Sequence, residues 1–268
     1  MNPPESDHSF QQPYRERVLA LVPWKLRDVW IAVAVPLGLS ILALTLLGSE
    51  SPASEALPES AGVMMLITAI LFAFQGLPLG LAWVFGIKMR HATWGQLGLR
   101  IPRASLFSGK QMPRLYVLLL VWPIGIFIAS MAFTIAYSSL VTFLGLDFLM
   151  PDQGLDKEFF GEGLQFAANA VAVGLWAPFT EEIFFRGFIL AGLVKFLGVT
   201  KGTIISAALF SVGHMQIGVL VPIFATGLLL SWLYLKTRSI WPPMIAHTLQ
   251  NSFVVFASTF FPTSSNVG

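Results

Sequence analysis

Apolar residues run along this chain in blocks of roughly 20, a length that crosses a hydrocarbon core of about 30 Å as a helix. The blocks fall at roughly 29–48, 61–87, 115–146, 164–196, 202–216, 217–235 and 241–261. Gly76 and Pro78 interrupt the second, and the third is long enough to need a tilt or a kink, which Pro123 supplies. This pattern predicts an all-α, polytopic transmembrane helical bundle of about seven spans, or eight if the 164–196 stretch is broken at Pro178. A large soluble core would instead put polar faces on its helices. Segments 1–28 and 262–268 read as an N-terminal segment and a short C-terminal tail. Residues 29–160 hold the first spans and a basic loop, and 161–261 form a core that carries the chemistry.

Composition supports the membrane reading. Of 268 residues, 55% are hydrophobic and 11% charged, against about 25% charged in a soluble domain. The charges also alternate in sign from loop to loop. Arg15, Arg17, Lys25 and Arg27 precede the first span, whereas Glu50, Glu55 and Glu59 follow it. Lys88, Arg90, Arg100, Arg103, Lys110 and Arg114 make the next connection basic, and Asp147, Asp152, Asp156, Glu158 and Glu162 make the fourth acidic. Lys195 and Lys201, then Lys236 and Arg238, restore positive charge at the later turns. Alternation holds if the N-terminus is cytoplasmic and the C-terminus outside, in a plasma or inner membrane if the source is bacterial. The small net charge of +2 and its place in loops give no nucleic-acid surface. The polar first 27 residues lack the apolar stretch of a signal peptide, and the absence of cysteine removes thiolate chemistry.

Ionisable side chains within the blocks crowd into three of them: Glu181, Glu182 and Arg186, then His214, then His247 with Asn251 beside it. Such groups cost several kcal/mol at membrane depth and usually mark function. Glu182 and Arg186 stand four apart, the spacing of an ion pair on one helix face. Glu181 points elsewhere, and its own i+4 neighbour is Phe185, so its partners must come from other spans. Helix rise places Glu181, His214, His247 and Asn251 in roughly one layer of the bilayer. Gln75 and Pro78 are candidates to shape a cavity.

A carboxylate held out of bulk water can act as a general base, and a neighbouring histidine can help hold and polarise a water molecule. A second histidine with an asparagine amide can donate to a developing oxyanion. These are the parts of amide hydrolysis by activated water. Glu and His are also metal ligands, but there is no HExxH, and a zinc site would consume the groups needed as base. No cofactor or metal site is therefore expected, with a divalent metal left as the alternative.

Glu181-Glu182-Ile-Phe-Phe-Arg186 resembles the EExxxR motif of the CAAX-protease and bacteriocin-processing (Abi) family. Phe210-Ser-Val-Gly-His214 resembles its FxxxH motif, and His247-Thr-Leu-Gln-Asn251 its HxxxN motif. Ala177-Pro178-Phe-Thr180 and Leu97-Gly98-Leu99-Arg100 are similar to flanking sequences of bacterial members. The resemblance covers roughly 170–255. It implies an intramembrane glutamate-dependent endopeptidase with Glu181 as base, His214 as its helper and His247 and Asn251 as the oxyanion site. Glu182, Arg186 and Phe210 would order the site. The implied partners are the lipid bilayer and a membrane-embedded or lipidated protein or peptide substrate, prenylated CAAX-like C-termini among them. A non-catalytic immunity or scaffold protein using the same cavity is the alternative.

Overall fold

The computed structural model describes residues 22–47, 61–102, 116–151 and 157–261. Most of the N-terminal segment, Glu50, Glu55, Glu59, Arg103, Lys110, Arg114, Asp152, Asp156 and the C-terminal tail lie outside the described residues. The described chain is helical, with no strand. Helix α1 is Leu26–Leu47, and α2 is Ala61–Ala82, prolonged by a π-helical segment, Trp83–Lys88. Helix α3 is Trp122–Phe143, entered through the π-helical turn Val117–Val121. Pro123 stands just beyond that turn, at the start of α3, where a proline's missing N–H is tolerated. A 3₁₀ turn at Asp147–Leu149 and a single turn at Lys157–Phe160 follow.

The long stretch Gly163–Val212 divides at Gly198, whose φ of 80° and ψ of 170° leave the helical region. We call 163–197 α4 and 199–212 α5. Helix α6 is Leu220–Thr237 and α7 is Trp241–Phe260. The break thus falls at Gly198 and not at Pro178, which sits in the first turn of Ala177–Glu181 with the helix running on through it. Among the described residues seven long helices result, in a polytopic transmembrane bundle. By length and apolarity Leu26–Ala43, Gly62–Lys88, Val117–Phe143, Gly163–Val212 and Leu220–Thr237 can each cross a membrane. Helix α7 is long enough but carries a polar line at His247, Gln250 and Asn251.

Helix α4 occupies the centre, packed on α1, α2, α5, α6 and α7. Its residues Ile183, Phe184, Phe188, Ile189, Leu190 and Leu193 are buried. On α1, α2 and α3 many large apolar side chains, such as Ile41, Ile70, Ile128 and Ile135, are exposed on the protein surface. No described residue covers these outer faces, which lipid around the bundle would cover.

Four connections meet at one end. Arg90 donates to both oxygens of Asp28, from Nε at 2.7 Å and from NH2 at 2.9 Å, joining the end of α2 to the start of α1. Lys195 donates to the Val22 carbonyl at 2.8 Å, and Trp24 stacks on Phe188 while its indole N–H donates to the Phe188 carbonyl. Gly98, at φ 88°, lies so close to Tyr234 and Ile240 that a Cβ would overlap both, and its carbonyl accepts the Ile240 N–H at 3.0 Å. The basic connections therefore share one end, as their charge pattern requires.

Candidate active site

Glu182 is fully buried on α4. Its Oε1 accepts two hydrogen bonds, from Arg186 NH1 at 2.7 Å and from His247 Nδ1 at 2.9 Å. The i+4 pairing with Arg186 is the one the sequence predicts; the bridge to α7 is not. Because Nδ1–H donates to a carboxylate, Nε2 is the ring nitrogen that faces outward, and it lies 3.9 Å from Glu181 Oε2. The Glu181 side chain makes no hydrogen bond to any described residue, and its buried Oε2 has His247 as an ion-pair neighbour only.

Arg186 uses only NH1 on Glu182, while Nε and NH2 have no hydrogen-bond partner among the described residues. Its guanidinium instead lies 4.2 Å from the centre of the Phe210 ring, where the π face meets the cation. Phe210 also packs edge-on against Phe185, His214 and His247. The residue that opens the FxxxH motif is thus a wall shared by the acidic pair and both histidines.

His214 differs from its expected place. Helix α5 ends at Val212, so His214 lies beyond the helix in a turn, exposed, with its N–H bonded to the Ser211 carbonyl. Its Nδ1–H donates to the Phe210 carbonyl at 2.9 Å, leaving Nε2 as an acceptor. Fourteen helical residues cover about 21 Å, short of a bilayer crossing of about 30 Å, and residues 213–219 then turn. Gly218 allows this turn to lie directly on the Met150 carbonyl, with no room for a Cβ.

Asn251 does not stand free. Its Nδ2 donates to the Val173 carbonyl at 2.9 Å. Val173 lies in the π-helical turn Ala172–Trp176, where the altered winding leaves carbonyls available to side chains. One amide N–H remains for another acceptor. A second π-helical segment, Glu182–Leu190, begins directly after Glu181.

Two cavities flank Phe210 and His214, and both residues line each. The smaller, about 140 Å³, contains Glu181 with Val33, Pro36, Ser40, Gln75 and Pro78 from α1 and α2. The larger, about 450 Å³, contains His247, Gln250, Asn251 and Thr226. Sequence reasoning had no way to reach Pro36, Ser40 or Thr226, which carry no unusual signal; a lone glutamine in an apolar block was the signal for Gln75. Gln250 was legible only as a spacer within the HxxxN motif.

Residues 163–253 match the family model described as Type II CAAX prenyl endopeptidase Rce1-like. A curated Bacillus subtilis (strain 168) protein named "Putative membrane peptidase YdiL" is 35% identical over 78 residues. That alignment covers 29% of this chain and 32% of the relative, about a third of its length. No solved structure matches the chain.

Proposed function

We propose that this chain, whose residues 163–253 match the Rce1-like CAAX endopeptidase family model, is an intramembrane glutamate-dependent endopeptidase. Glu181 and His214 share the smaller cavity, and that observation carries the reading. A water between them would give one hydrogen to the Glu181 carboxylate and point the other at His214 Nε2, leaving a lone pair for attack on a peptide carbonyl carbon. Glu181 takes the proton as the C–O bond forms.

The carbonyl oxygen becomes an oxyanion, which accepts from the free N–H of Asn251 and from His247 Nε2. With Nδ1–H committed to Glu182, His247 donates from Nε2 only when both ring nitrogens carry hydrogen. Its positive charge then sits against Glu181 and Glu182. Collapse of the tetrahedral intermediate breaks the C–N bond, and the proton held by Glu181 passes to the leaving nitrogen. The products are a new carboxylate and a new amine, and no covalent enzyme intermediate is needed. Glu182 and Arg186 hold the site in shape. The substrate is a membrane-embedded or lipidated protein or peptide, and the basic end of the bundle faces the cytoplasm.

The test uses purified protein in lipid nanodiscs and a farnesylated peptide ending in Cys-aliphatic-aliphatic-X. Mass spectrometry in heavy-oxygen water follows cleavage and the label in the new carboxylate. Loss of cleavage in Glu181→Gln with unchanged folding is expected; wild-type turnover in that variant overturns the mechanism.

A further inference from the structure

The larger cavity holds a polar group that the hydrolytic scheme leaves unused. Gln250 is 8% exposed and lines that cavity beside His247 and Asn251, on one face of α7 at i+3 from the histidine. Its amide N–H makes one long hydrogen bond, 3.4 Å to Thr226 Oγ1, and its carbonyl oxygen has no hydrogen-bond partner among the described residues. A primary carboxamide has two donors and two acceptor sites, and leaving them unmade in an apolar interior is costly. A single weak contact to Thr226 is a poor reason to keep such a group inside a membrane helix.

A peptide group presents the same donor and acceptor pair. A substrate segment at the moment of cleavage must be extended, because helical hydrogen bonding shields its carbonyls from attack. Near the scissile bond its N–H and C=O groups then need partners where bulk water is absent. Three residues of helix rise about 4.5 Å, and an extended chain advances about 3.3–3.6 Å per residue. Gln250 therefore stands one or two substrate residues from a carbonyl held at His247. The sizes of the cavities agree. The smaller, about 140 Å³, is close to the roughly 150 Å³ that holds one benzene, so it suits a single side chain. The larger, about 450 Å³, has room for a length of main chain.

We propose that Gln250, seconded by Thr226, binds the main chain of the substrate one or two residues from the scissile bond, on the side that occupies the larger cavity. This rests on the peptidase reading above. The experiment measures kcat and KM for the farnesylated CAAX-type peptide in nanodiscs, for wild type, Gln250→Met and Thr226→Val. A parallel series of the peptide carries a single N-methyl group at each backbone amide in turn.

Loss of one hydrogen bond in a dry site predicts about a tenfold rise in KM for Gln250→Met with kcat nearly unchanged. One N-methyl position should cost wild type a similar factor and cost Gln250→Met nothing further, the coupling expected of a direct contact. Equal N-methyl penalties in wild type and Gln250→Met at every position overturn the proposal, as does an unchanged KM. Thr226→Val serves as the partial variant if Gln250→Met fails to fold; an unchanged KM in it then overturns the proposal. Affinity for an uncleavable reduced-amide version of the peptide separates the two readings. Gln250-dependent binding without cleavage supports the anchor and removes the peptidase; cleavage without Gln250 dependence does the reverse. A wild type that neither binds nor cleaves the peptide overturns both.

Discussion

His247 Nδ1 lies 2.9 Å from Glu182 Oε1, the same oxygen that accepts Arg186 at 2.7 Å. One carboxylate oxygen thus fixes two cationic or potentially cationic side chains from two helices. The second glutamate of the pair decides which nitrogen of His247 faces the cavity and stitches α4 to α7. The first glutamate, one residue earlier, has no such engagement. Adjacent residues of one motif therefore divide into a carboxylate tied to two side chains and one, the base of the proposed mechanism, that has no hydrogen bond to a described residue.

This division predicts opposite responses to the same substitution. Glu181→Gln should cut turnover by about a hundredfold to ten-thousandfold, the usual worth of a general base, with little change in melting temperature. Glu182→Gln should lower the melting temperature markedly, since unpairing a buried charge costs about 3–5 kcal/mol. Thermal unfolding in detergent beside peptide cleavage checks both. Equal stability of the two variants would contradict the assignment.

Asn251→Ala removes the donor to the Val173 carbonyl and the proposed oxyanion donor together. Cleavage should fall by about a hundredfold to a thousandfold in kcat, as for loss of one oxyanion donor elsewhere. KM should change little, and the steady-state kinetics distinguish this pattern from the KM effect expected at Gln250.

Phe210 is 2% exposed, its ring covers Arg186, and the residue lines both cavities. Phe210→Ala should destabilise the protein by about 3–5 kcal/mol and enlarge both cavities, leaving the Arg186 guanidinium without its aromatic face. Phe210→Tyr keeps the ring and should retain most of the stability. Unfolding midpoints of the two variants, compared with wild type, test this order.

Gly187 lies against the Leu97 carbonyl, and a Cβ there would overlap the backbone of the 92–100 connection. Gly187→Ala should destabilise by about 1–3 kcal/mol or more and disturb Arg186 one residue away. Gly80, with nothing near its Cβ position, is the control, and Gly80→Ala should fold as wild type. Thermal stability and cleavage by both variants measure the contrast.

The apolar blocks determined the helices by themselves, because a backbone in hydrocarbon must satisfy its own hydrogen bonds and a block of that length has few other choices. They also located Glu181, Glu182, Arg186, His214, His247 and Asn251, since ionisable groups stand out against an apolar background. The Glu182–Arg186 pair was legible because it is local, set by helix geometry alone. Which other groups meet was not legible, because contacts across helices depend on packing and on departures from regular winding. The π-helical turn at Ala172–Trp176 frees the Val173 carbonyl for Asn251. The early end of α5 places His214 in a turn and lets it reach both cavities. Only tertiary structure decided that His247 leans on Glu182 and that Gln250 faces the larger cavity, for the distances between α4, α6 and α7 are written in no single segment of the chain.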